Sequence, residues 1–152
     1  MNPARDKIDT SKECPFCAIA RGADPAAEIV CEGRAWIAFF PLEPATPGHT
    51  LVIPRIHVAD LWDADERTAQ ELTSAILVVG NAIDRALHPA GMNLISSAGE
   101  VAEQSIFHLH LHLVPRSIDD RLGQIWPDQG DVDPATTKRL AERIRGECSF
   151  ET

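Results

Sequence analysis

Three histidines at alternate positions, His108, His110 and His112, are the residues best suited to chemistry, and Phe107, Leu109, Leu111 and Leu113 fill the places around them. Such period-two alternation predicts a β-strand from Ser105 to Pro115. Side chains two apart on a strand share a face, roughly 6.5–7 Å from one another. The imidazoles would thus line one side while aliphatic and aromatic groups pack on the other. Three neutral rings in a row pack poorly and three charged ones repel. The row therefore predicts a polar partner across from it, either an anion or a metal ion. A second cluster is Cys14-Pro-Phe-Cys17. A Cys-x-x-Cys pair is half of a zinc site or a redox pair, and the chain has histidines to complete the former.

The elements that must carry these groups follow from composition and pattern. A chain of 152 residues buries a core without staples. Residues 1–13 are polar and read as a flexible arm, leaving 14–152 as a single domain. The apolar fraction of 44% and charged fraction of 24% are those of a soluble globular protein. A net charge of −9 argues against nucleic acid as a partner, although a local site can still attract a small anion. No apolar run approaches membrane-spanning length, and the N-terminal residues have no apolar signal core, so the expected location is cytoplasmic, without membrane attachment. There the four cysteines are thiols or ligands rather than disulfides.

Glu28–Glu32 and Ala35–Phe40 read as strands joined at Gly33-Arg34, and Thr50–Pro54 as a short buried strand. Asp63 to Arg67 supply cap and first-turn acids for a helix reaching about Leu87, with Leu72, Ile76, Val79, Ile83 and Leu87 on one face. His88-Pro89 and Gly91 end it, and His88 reads as a surface residue. Asn93–Ser96 is another strand, followed by a loop into the histidine strand. Asp133 and Pro134 start a last helix running to about Arg145. The class is α+β: a mostly antiparallel five-stranded sheet packed with one long helix and a C-terminal helix.

From Cys14 to about Trp126 the chain resembles the histidine triad (HIT) family. The match lies in His108-Leu-His110-Leu-His112-Leu-Val114, in the preceding Gln104-Ser105, and in Pro47-Gly-His-Thr-Leu-Val-Ile-Pro54 followed by His57. The resemblance implies a HIT-like fold and a nucleotide-binding hydrolase or transferase, similar to Hint-like nucleoside phosphoramidases and dinucleoside polyphosphate hydrolases. It implies that His110 attacks the α-phosphorus of a nucleotide conjugate, forming a covalent nucleotidyl-imidazole that water or another acceptor resolves. His112, if protonated, and the Ser105 hydroxyl would donate to the phosphate oxygens, while Gln104 would hold the bridging oxygen or orient water.

The zinc-bearing branches of the superfamily imply that Cys14, Cys17, His57 and His108 form a structural zinc site. His49 is the alternative to His57, or a buttress of the triad strand. The family also implies a homodimer, and the apolar run Ile76–Val79 is wider than one helix face needs. Three positions depart from the family pattern around the nucleotide. Pro41, after Phe40, stands where an Asp for the ribose hydroxyls is common; Ser97 stands for Asn; Glu103 stands for a glycine before Gln104. Ser97 would still donate to phosphate, and Glu103 would reach a ribose or leaving group. These departures keep open the alternative of a non-catalytic, nucleotide- and zinc-binding regulatory module.

Overall fold

A computed structural model describes residues 14–126 and 133–148, so the N-terminal arm of the sequence reading lies outside the described residues. Residues up to Arg121 form one compact unit and those from Leu122 another. The first contains every candidate site residue.

Its centre is a five-stranded antiparallel sheet of order β1-β2-β3-β5-β4. The strands are β1 (Ile29–Glu32), β2 (Trp36–Phe39), β3 (Thr50–Pro54), β4 (Gly91–Ser96) and β5 (Leu111–Arg116). The α+β class and the strand count agree with the expectation. β3, the middle strand, is buried at every position, as its continuous apolar run requires.

Alternation then sends side chains to two different covers. Ala38, Val52, Leu109, Leu111 and Leu113 pack on the long helix α2 (Glu66–Leu87), through Leu72, Ala75, Val79 and Ile83. Ile37, Phe39, Leu51 and Ile53 face the opposite way, onto a short helix α1 (Pro15–Ala20) and its Cys14, Phe16 and Cys17. The expected apolar stripe of α2 shifts slightly. Thr68 and Ala75 join the buried face, Ile76 is half-buried and Leu87 half-exposed.

Asp65 caps α2 by accepting the Thr68 N–H at 2.8 Å, and Glu66 complements the dipole in the first turn. His88, exposed as expected, ends the helix in the left-handed conformation, its N–H bonded to the Asp84 carbonyl. In the second unit, Asp133 caps α3 (Pro134–Glu147), close to the expected span. No helix among the described residues is long and apolar enough to cross a membrane.

The Cys-x-x-Cys segment is helical: Pro15 occupies the first turn, where its missing N–H costs nothing. One local reading needs correction: the histidine strand is shorter than the alternation predicts, beginning at Leu111 rather than Ser105. The β3–β5 ladder runs Thr50 to Leu113, Leu51 to His112 and Val52 to Leu111. Two steps further it would reach Pro54, which has no N–H to give. The Pro54 carbonyl is taken by the His108 ring at 2.9 Å, and the Leu109 N–H bonds instead to the Val58 carbonyl at 2.6 Å. The alternation nevertheless survives beyond the strand end. Leu109, Leu111 and Leu113 point to α2, while His108 and His110 meet the α1 side.

Candidate active site and metal centre

The triad histidines end in three different environments. His108 is fully buried. Its Nε2–H donates to the Pro54 carbonyl at 2.9 Å, so the lone pair sits on Nδ1. That atom faces Cys14 Sγ and Cys17 Sγ, each at 3.5 Å. Cys17 Sγ is 3.2 Å from His57 Nδ1. The four ligand atoms of Cys14, Cys17, His57 and His108 all lie within 4.8 Å of one another.

Zinc–sulfur and zinc–nitrogen bonds of about 2.3 and 2.0–2.1 Å give a tetrahedron whose S–N edge is about 3.6 Å. The observed separations fit that edge, and the donor set is a closed Cys₂His₂ set. The Pro54 carbonyl supplies the outer hydrogen bond that orients a ligating imidazole. Burial, and then the nearby His57 and His110, bring His108 down to about 4 against the pull of the Pro54 bond, so the ring is neutral as a ligand must be. Burial, then the adjacent Cys14, raises the Cys17 thiol above its ordinary range.

The helix bearing the thiols is held by Arg55. Its Nη1–H donates to the Ala20 carbonyl at 2.6 Å and its Nε–H to Gly33 at 3.2 Å, while Nη2 pairs with Glu32 at 2.5 Å. A cation at the end of α1 also complements the carbonyls exposed there.

His110 is buried, with 7% of the residue exposed. Its Nδ1–H donates to the carbonyl of His108 at 2.7 Å, leaving the lone pair on Nε2. Burial keeps the ring below the ordinary imidazole range, partly opposed by that carbonyl. His112 is half-buried, its ring 4.9 Å from that of His110.

His49 belongs to this group and not to the metal corner. The Ala45 N–H donates to His49 Nδ1 at 3.0 Å, so Nε2 carries the proton and donates to His112 Nδ1 at 2.9 Å. The proton of His112 is therefore on Nε2. Burial, then the neighbouring His110 and His49, hold His112 at about 4. A neutral His112 can still donate, through Nε2–H. The arrangement is one open imidazole lone pair beside one imidazole N–H.

Of the remaining candidates, Gln104 is 2% exposed and wholly engaged by main chain. Its Oε1 accepts the Gly99 N–H at 2.8 Å, and its Nε2 donates to the carbonyls of Ala59 at 2.7 Å and Ile106 at 3.2 Å. It clasps the loop entering the triad. Ser105 is exposed, three residues before His108, and Ser97 is half-buried after β4. Phe40 is 41% exposed and Pro41 half-buried, just after β2. Glu103 is exposed and has φ 65°.

Groups not singled out from sequence are Phe16, against both His108 and His110, and the main-chain anchors at Ala45 and Pro54. The position of Phe16 between two cysteines was the available signal for the first. Main-chain anchors have no side-chain signature.

The site is thus a buried imidazole, its Nδ1–H held by main chain, next to a Cys₂His₂ cluster at one end of an antiparallel sheet. Residues 23–118 match the HIT domain, and the chain belongs to that family. It is 34% identical over 141 residues to the protein named hit of Bacillus subtilis, covering 86% of this chain and 97% of that one. It is 30% identical over 132 residues to the adenosine 5'-monophosphoramidase hnt1 of Schizosaccharomyces pombe, covering 86% and 95%. A crystal structure of a zinc-bound histidine triad family protein from Mycobacterium smegmatis superposes with a TM-score of 0.68 at 33% identity, covering 90% of this chain and 96% of that one.

The left-handed backbone at Glu103 explains why a glycine suits that position. A side chain there costs about 1–2 kcal/mol, offset in part by the greater unfolded-state freedom of glycine. Glu103→Gly is expected to raise the unfolding free energy by up to about 1 kcal/mol in denaturant titration. A lowered midpoint would contradict this account.

Proposed function

We propose that this protein hydrolyses, or transfers from, a nucleotide conjugate at its α-phosphate, through a covalent nucleotidyl intermediate on His110. The observation that carries the proposal is the tautomer pair. The His108 carbonyl accepts the Nδ1–H of His110 and so leaves the Nε2 lone pair as the nucleophile, while His112 presents Nε2–H beside it.

In the first step His110 Nε2 forms a bond to phosphorus and the bond to the leaving group breaks. The leaving group departs with the electron pair and takes a proton from solvent or its surroundings. In the second, water attacks phosphorus, the N–P bond breaks, and a nucleoside monophosphate leaves with His110 neutral again. His112 Nε2–H and the Ser105 hydroxyl donate to the phosphoryl oxygens as charge moves onto them. Gln104 serves by holding the loop that bears Ser105. Phe40 and Pro41 offer an apolar side for the base and sugar, with Ser97 donating to phosphate and Glu103 reaching a ribose or the leaving group. A phosphoramidate or a dinucleoside polyphosphate satisfies these requirements, and the phosphoramidase name of the fission-yeast relative supports the former.

Zinc is the metal proposed for Cys14, Cys17, His57 and His108. With four protein ligands it would be structural, locking α1 to the triad segment rather than contacting substrate. Ligand thiols suit a reducing compartment such as the cytoplasm. We further propose a homodimer. β4 ends the sheet with one edge unpaired among the described residues, and Leu94 on it and Leu77 and Val78 on α2 are 54%, 62% and 53% exposed.

Three outcomes are expected. His110→Ala should lower turnover of an adenosine phosphoramidate and of diadenosine tetraphosphate by at least about a thousandfold with zinc content unchanged. Activity retained in that variant would sink the covalent route, and a parent that binds nucleotide without turnover would favour a binding module. Cys14→Ser should lower bound zinc, by elemental analysis, and the melting temperature by about 5 °C or more. Equal zinc in variant and parent would remove the metal site. Sedimentation velocity at micromolar concentration should show a species of twice the monomer mass, and a monomer would rule out the dimer.

A further inference from the structure

Phe16 lies between the two candidate ligand thiols in sequence and is 7% exposed. Its ring stands nearly perpendicular to three others: Phe39 at 5.4 Å and 73°, His108 at 6.0 Å and 72°, and His110 at 5.3 Å and 84°. It therefore touches the metal corner, the core behind it and the open imidazole at once. We infer that Phe16 is a positioning residue for His110, the wall by which the Cys14–Cys17 segment keeps the nucleophile's ring from turning. The inference rests on the nucleotidyl-transfer reading above and adds to it a coupling between the two sites.

The need for such a wall follows from the anchors of His110. The hydrogen bond from Nδ1 to the His108 carbonyl fixes a point on the ring, not its plane. The outer torsion of histidine lies in a broad well, so one hydrogen bond leaves the ring free to swing about it. Nε2, the atom that must meet phosphorus in line, is at the far end of that swing. An aromatic ring packed against the imidazole blocks the motion, and Phe39 on β2 holds Phe16 from behind. The flanking thiols fix the other end of the lever. Cys14 and Cys17 both approach His108 Nδ1, so a closed corner sets the pitch of the turn carrying Phe16.

The test uses the zinc-loaded full chain, with nitrogen-labelled histidines, at one neutral pH. Phe16→Ala removes the wall; Phe16→Leu keeps most of the apolar volume but not the flat ring. Both should retain zinc by elemental analysis. On an adenosine phosphoramidate, kcat should fall about tenfold in the alanine variant and about threefold in the leucine variant, with KM within about twofold. The side-chain nitrogen signals of His110 should keep the pattern of the tautomer protonated at Nδ1 but shift and broaden as the ring samples more orientations. A residue that merely filled space would lower the melting temperature and leave those signals and kcat in place. Unchanged kcat and unchanged His110 signals in a zinc-loaded variant would overturn the inference. Should the alanine variant shed zinc or fail to fold, the leucine variant decides alone. A parent with no turnover would sink the transfer reading, and the His110 signals would still decide for or against Phe16.

Discussion

The buried side chain and carbonyl of His108 hold the two halves of the site together. The ring donates its Nε2–H to the Pro54 carbonyl, which turns the other nitrogen toward the thiols. The His108 carbonyl accepts the Nδ1–H of His110, which leaves the lone pair on that residue's other nitrogen. Each bond removes one of two possible tautomers, and both depend on the same residue lying in one conformation. A shift of His108 would therefore disturb the metal corner and the open imidazole together. The rest of the unit acts to prevent that shift: β3 supplies Pro54, the Val58 carbonyl holds Leu109, and Gln104 clasps the loop before it.

The histidines here are kept neutral, and this shapes what the site can do. Burial comes first among the causes for His49, His108, His110 and His112 alike. Neutral rings allow four imidazoles to crowd around one sheet end without repulsion. In the proposed reaction they would leave His110 able to attack without losing a proton first, and would meet phosphate with oriented N–H dipoles instead of a cluster of cations. That arrangement suits a chain of net charge −9, whose field would not gather phosphates by attraction alone.

Much of this was legible in the order of residues. The run Thr50–Pro54 matches β3 residue for residue, because a short apolar stretch bounded by glycine and proline signals leaves few alternatives. The pairing of two cysteines with His57 and His108 also followed from the family resemblance and meets the geometry found. What could not be read is set by long-range partners. The strand of the histidines starts only at Leu111 because two residues earlier its neighbour is Pro54, which has no N–H and whose carbonyl is taken by the His108 ring. Helix α1 is too short for periodicity to register and owes its place to the core it covers. Gln104 looked available for substrate until its three partners, up to 45 residues away in sequence, were seen to occupy it. The tautomers are likewise set by acceptors and donors of the main chain.

That last point bears on how the protein would respond to change. The Ala45 amide, the Pro54 carbonyl and the His108 carbonyl each direct a ring, yet none belongs to a side chain. Replacing residue 45 by almost any other amino acid leaves its amide in place. Only proline removes it, and prolines already stand nearby at 44 and 47. A survey of small substitutions would score this position as tolerant, although one of its nineteen variants removes the amide that orients His49 and, through it, His112. Sequence drift can therefore be wide in the loops around this centre, provided the backbone path is kept.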